Sequence, residues 1–248
     1  ELMELHTLGV NGGYGQNDVR ELARILTGWT VDPQSPSGFR FAPRLHDNGS
    51  KTLLGQRFEG SGAAEGEAAI RMLARHPATA QRISLRLAQW FVADQPPPAL
   101  VQRLAQRYLA TQGDIAAVMR TLIESPETWV PEAKLFKTPM DYACSVLAAA
   151  GGPQEARDYA QALGFLTSAG QPLHGWQTPD GYKTDAATWL SPEALSRRAD
   201  LAMAIGRRVP DAQTVLVWLS PATRTRIAQE PERMQAGLAL ASPDYMAK

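Results

Sequence analysis

A chain of 248 residues with 44% hydrophobic side chains can close a sizeable core, which excludes a disordered chain and a fold that depends on disulfides. Its 25 basic and 25 acidic residues cancel, so the gross basic excess of a nucleic-acid binder is missing and no nucleic acid is expected as a partner. The single cysteine, Cys144, gives no test of the redox compartment, and no apolar run approaches the ~20 residues of a membrane span.

The chain opens on Glu1-Leu-Met-Glu-Leu-His6, which reads as the middle of a helix, so the natural protein is expected to extend upstream and to have carried any targeting segment there. Leu2, Leu5 and Leu8 keep helical spacing, and Gly9 can end the turn. A loop follows at Asn11-Gly-Gly-Tyr-Gly15. Asn17 is then expected to cap a helix with Asp18 and Glu21 in its first turn and Val19, Leu22, Ala23, Leu26 and Trp29 as its apolar stripe. Residues 30–60 change character: three prolines, several glycines and short apolar runs make this the one place for short strands, at most one small hairpin near 38–54. His46-Asp47-Asn48-Gly49 is a strong turn signal inside it.

From residue 64 the pattern is helical and heavily punctuated. Helices are expected at 64–75, 77–92, 97–111, 115–124, 140–150 and 153–167, several opened by proline at the first helical position. Residues 168–188 form a second irregular segment. Ser191-Pro192-Glu193 opens a helix to about 208, and shorter ones fill 211–219, 221–229 and 231–241. Arg197-Arg198 and Arg207-Arg208 read as solvated helix face and helix end. Cys144 reads as a small buried apolar residue. An echo, Leu122-Ile-Glu-Ser-Pro-Glu-Thr-Trp129 against Leu240-Ala-Ser-Pro-Asp-Tyr245, reads as a repeated helix-end turn followed by an aromatic plug. The fold class is therefore all-α: one multi-helix domain over 1–248 with two irregular segments.

Four histidines are the scarce chemical resource: His6, His46, His76 and His174. His76 precedes Pro77 at a helix junction, which suits a structural role. His6 beside Glu4 can be a ligand or base, or a satisfied core histidine. His46-Asp47, with Lys51 close behind, sits in a loop segment, where function concentrates. A histidine held by a carboxylate is a usual base arrangement, although adjacent residues seldom point at each other. Trp176 and Tyr182 share the second irregular segment with His174. They can stack on a ligand or simply pin the loop to the core. The sequence holds no His-Glu-x-x-His zinc pattern, no P-loop and no Gly-x-Ser-x-Gly elbow, so no metal site and no cofactor is assigned.

The runs Glu1-Leu-Met-Glu-Leu-His-Thr-Leu-Gly9, Gly13-Tyr14, Asp18-Val-Arg-Glu-Leu-Ala-Arg24 and Leu26-Thr-Gly-Trp29 resemble the bacterial DUF1800 family. The likeness continues in order through Phe41-Ala-Pro43, His46-Asp-Asn-Gly-Ser-Lys-Thr52, Leu54-Gly55, His76-Pro-Ala-Thr-Ala80, Phe91-Val92, Ser125-Pro126, Lys137-x-Pro139, Pro179-Asp-Gly-Tyr182 and Trp189-Leu-Ser191. The resemblance implies the C-terminal half of a longer bacterial protein. It implies export to the periplasm or cell envelope, a setting beside a DUF1501-type protein, and no assigned reaction. It gathers Glu1, Glu4, His6, Trp29, His46, Asp47 and Lys51 into two blocks. Two functions follow as expectations. One is an exported accessory protein that binds a DUF1501-type partner or an envelope glycan through 30–60 and 168–188, with Trp29, His174, Trp176 and Tyr182 as contacts. The other is a hydrolase-like enzyme using His46, Asp47, His6, Glu4 and Lys51. The first is favoured, because no complete catalytic signature is present.

Overall fold

Met3 enters a first core from a five-residue π-helical turn, Leu2–His6, and Leu8 joins it from the segment that follows, which Gly9 closes by turning its N–H back to the Met3 carbonyl at a φ of +85°. In the computed structural model, which describes residues 1–130 and 134–248, the chain packs as two units. One comprises Glu1–Gln89 with Pro96–Thr128, the other Trp90–Gln95 with Trp129–Lys248. Both are helical, and no helix among the described residues is long and apolar enough to cross a membrane.

In the first unit, α1 runs Gln16–Ile25. Its cap is Gly15 rather than the expected Asn17, because the Asp18 carboxylate reaches back to the Gly15 N–H at 2.9 Å. Two antiparallel hairpins follow where at most one was expected: β1 Trp29–Val31 with β2 Phe39–Phe41, and β3 Lys51–Leu53 with β4 Gln56–Phe58. The second turns on Leu54-Gly55, both at positive φ (48° and 79°), which is the two-residue geometry that matches strand twist. Leucine is an unusual residue for that position, which is why the turn is hard to read from sequence. The outward N–H groups of β3 are not left open. Thr52 N donates to Glu21 and, in the turn just past the strand, Leu54 N to Asp18, each at 2.8 Å, so the α1 acids serve a strand edge as well as a helix start.

Helices α2 Ala63–Ala74, α3 Pro77–Phe91, α4 Pro98–Ala110 and α5 Ile115–Glu124 follow. Leu22, Ile25, Leu53, Phe58, Ala69 and Leu73 join Met3 and Leu8 in one core. Each fully buried leucine or isoleucine there contributes about 1.5–3 kcal/mol. Helices α4 and α5 pack on each other, with Leu100, Leu104, Val118 and Leu122 buried along them.

In the second unit, Thr138 and Asp141 form a reciprocal capping box at the start of α6, Pro139–Ala149. Next come α7 Ala156–Ser168, α8 Ala186–Trp189, α9 Pro192–Gly206, α10 Gln213–Leu216, α11 Pro221–Ile227, α12 Glu232–Leu240 and α13 Pro243–Met246. The core gathers Tyr142, Val146, Phe165, Leu201, Ile205 and Leu240. Helices α9 and α12 cross at glycine: a Cβ on Gly206 would stand 2.5 Å from the Gly237 Cα.

Three local expectations are corrected. Arg198 is buried, not solvated, because its guanidinium lies between the rings of Phe136 (4.5 Å) and Tyr142 (4.9 Å) and donates to the Lys137 carbonyl at 2.8 Å. Cys144 is exposed, since α6 turns Tyr142, Ala143 and Val146 inward and leaves Cys144 on the other face. Of the two echoed aromatics, Tyr245 packs on Tyr142 and donates to the Ser145 carbonyl at 2.7 Å, whereas Trp129 is exposed.

Candidate functional site

His46 and Lys51 stand at the two ends of a turn, and the turn brings both onto Glu65 of α2. Lys51 Nζ lies 2.7 Å from Glu65 Oε2 and also donates to the Asp47 carbonyl. Glu65 Oε1 accepts the Gly60 N–H at 3.0 Å. His46 turns Nε2 toward the same Glu65 oxygen at 3.3 Å, while its Nδ1 lies 2.9 Å from the Thr27 carbonyl, which fixes the ring. Phe41 covers it edge-on at 5.4 Å. Gly28, at a φ of +83°, makes room for this: a Cβ there would meet the Phe41 ring at 2.9 Å.

The three side chains of this cluster have 0% exposure. A histidine, a lysine and a carboxylate in an open cleft would make an acid–base set. Here none of the three side chains is exposed, and the ammonium and carboxylate face each other as a buried pair. Together they tie residue 27, the 46–51 turn, residue 60 and α2 into one hydrogen-bonded knot.

Asp47 does not orient His46. Its carboxylate turns to Arg24, whose Nε lies 2.8 Å away, and accepts the Gly49 N–H at 2.8 Å. The Arg24 guanidinium first, and the Gly49 N–H second, hold its carboxyl down to about 2. Arg24 also bonds Glu21 at 2.9 Å, and the Thr27 hydroxyl accepts the Asp47 N–H at 2.8 Å. The other candidates of this unit lie elsewhere. Glu1, Glu4 and His6 are exposed on the N-terminal turn, and no hydrogen bond or ion pair joins His6 to His46 among the described residues. Trp29 is half-buried, edge-on to Phe39 at 5.1 Å and laid against Gly66, where a Cβ would stand 2.5 Å from its ring.

Sequence reasoning missed Glu65, Arg24 and Thr27. Glu65 left a signal: it shares the buried stripe of α2 with Ala69 and Leu73, four and eight residues on. A carboxylate on an apolar stripe requires a cation to face it.

In the second unit, residues 168–188 hold His174, Trp176 and Tyr182. His174 is exposed at a φ of 55°. Trp176 packs on Tyr182 at 5.0 Å and donates from Nε1 to Asp180 at 2.9 Å. Tyr182 donates to the Pro172 carbonyl at 2.7 Å and packs near Trp189, which is buried. The Thr178 hydroxyl, the Trp176 N–H and Lys183 hold the Asp180 carboxyl well below the usual range. The loop is thus pinned by its own aromatics, with Trp176 still partly in solvent.

The same unit carries a groove of about 800 Å³ that sequence reasoning did not single out. Ala148, Ala149 and Gly151 from the end of α6 give it small walls, and Lys137, Tyr245 and Trp218 are among its larger lining side chains. Lys137 Nζ sits 3.9 Å from the Tyr245 ring centroid. Burial first, then the nearby Arg198 and Lys248 against the pull of Asp141, lowers its ammonium to about 8. Trp218 is 79% exposed. Among the described residues, no three His, Cys, Asp or Glu side chains converge as a metal site.

The family described as "Protein of unknown function (DUF1800)" matches residues 1–247 of the chain. No curated protein and no solved structure matches it.

Proposed function

This chain belongs to the DUF1800 family, and we propose that it is a non-catalytic binding protein that acts with a partner at the bacterial cell envelope. The observation that carries the reading is the closure of the His46–Lys51–Glu65 cluster. The residues with the best claim to chemistry are spent inside the fold, with no exposed atom to offer a substrate. Export, a periplasmic setting and a DUF1501-type or glycan partner are proposed on the family resemblance. The exposed aromatics Trp176 and Trp218 support recognition over reaction, since tryptophan is enriched where proteins bind. The hydrolase-like alternative needs His6 and His46 to act together, and the geometry offers it no shared contact.

Carbethoxylation of the native chain with diethylpyrocarbonate, mapped by mass spectrometry, tests this. Exposed His6 and His174 are expected to react at least about tenfold faster than His46, whose modification waits on local opening. Equal rates would mean an open site. So would a stoichiometric metal in the purified protein that disappears in His46→Ala. Either result returns the enzyme reading to first place.

A further inference from the structure

The groove of the second unit has four charged lining side chains: Lys137, Asp211, Asp244 and Lys248. Three have partners within the fold. Asp211 accepts the Gln213 N–H at 2.8 Å, Asp244 accepts the Ser220 N–H at 3.0 Å, and Lys248 pairs with Asp141 at 2.5 Å. Lys137 has neither a hydrogen bond nor an ion pair to its amine among the described residues; only the Tyr245 ring lies beneath it. The nearest acid influence, Asp141, is already paired with Lys248, so the groove holds one half-buried cation with no direct ion-pair partner of its own. The depressed ammonium of Lys137 is what such a site produces, and an incoming anion would restore it.

We propose that this groove binds an acidic peptide segment of a protein partner, a ligand carboxylate resting on Lys137 Nζ and an apolar ligand side chain against Trp218. The inference rests on the binding reading above and names its site and ligand. A volume of about 800 Å³ is near the upper end for small-molecule sites. Trp218 lines the groove at 79% exposure, and its chain neighbour Val217, outside the lining, is 63% exposed, so an occupant that extends beyond the pocket meets further apolar side chain. The small walls at Ala148, Ala149 and Gly151 let a peptide backbone approach closely. A tryptophan that a ligand would cover, beside one charge-assisted bond, is the usual make-up of a binding hot spot.

The test is selection of random displayed heptapeptides on the full chain, followed by fluorescence anisotropy of the winning peptide against Lys137→Gln and Trp218→Ala. Circular dichroism confirms that both variants fold; Trp218 is exposed, so its replacement leaves the core intact. Selected peptides are expected to carry Asp or Glu next to an apolar residue. Lys137→Gln should weaken binding about tenfold, the loss of one charge-assisted hydrogen bond, and Trp218→Ala should weaken it as well. A neutral or basic consensus, or affinity unchanged in Lys137→Gln, overturns the proposal. Full displacement by excess sodium hexanoate would also overturn it, since it would mark a site for small amphiphilic carboxylates. A selection that yields no binding peptide overturns the proposal too, while the histidine-reactivity result stands, so the two readings fail separately.

Discussion

Lys51 and Glu65 each lose their hydration on folding, and neither recovers that cost unless the other is present. Both side chains have 0% exposure, so solvent cannot rescue a widowed partner. Lys51→Met should therefore cost about 3–5 kcal/mol by urea denaturation, and the double replacement Lys51→Met with Glu65→Leu should recover most of it. A single-variant loss below about 1 kcal/mol would mean that the pair is hydrated after all. Asp47, whose carboxylate turns away from the buried pair to Arg24, gives a pH dependence instead. Its folded carboxyl is held at about 2 by Arg24 and the Gly49 N–H, below the ~3.9 of an unfolded chain. The stabilisation it gives is thus fully present above the unfolded value and disappears as pH falls through about 2. Asp47→Asn should flatten that acid limb in circular dichroism titrations between pH ~4 and ~2. An unchanged limb would show that the Arg24 pairing contributes nothing.

Helices α9 and α12 meet where neither has a side chain. Because a Gly206 Cβ would stand 2.5 Å from the Gly237 backbone, Gly206→Ala must push the two helices apart, and about 1–3 kcal/mol should be lost. Ala at Gly151, where a new Cβ meets nothing, carries only the left-handed backbone penalty of about 1 kcal/mol. Comparing the two melting temperatures separates close packing from backbone strain, and equal losses would refute the glycine crossing. The same contrast explains what the sequence made legible. Helices were readable because proline, serine caps and apolar stripes are local signals: Ser191, for example, accepts the Ala194 N–H as a cap should. The second hairpin was not, because Leu54 takes a left-handed conformation that its side chain does not advertise. Arg198 was misread as solvated because the rings that sandwich it come from residues 136 and 142, far along the chain. His46, Asp47 and Lys51 were legible as a group. What they do was not, since Glu65 and Arg24 reach them only through the fold.

The two units draw on separate sets of core residues. Met3, Leu22, Ile25, Leu53 and Leu73 belong to one, Tyr142, Leu201, Ile205 and Leu240 to the other. Regions with their own cores tend to open as separate units. The buried Lys51–Glu65 pair lies wholly in the first unit, and the groove wholly in the second. Lys51→Met should therefore speed amide exchange across α1, β3 and α2 while leaving α9 and α12 at their wild-type rates. Peptide-resolved hydrogen exchange in low urea reads both units in one sample. If α9 and α12 accelerate in step with α1, the molecule opens as a single cooperative block, and the stability of the peptide groove cannot be separated from that of the histidine knot. If only the first unit responds, the groove stands on its own core. The Lys137 variants can then be read as binding changes rather than as echoes of a weakened fold.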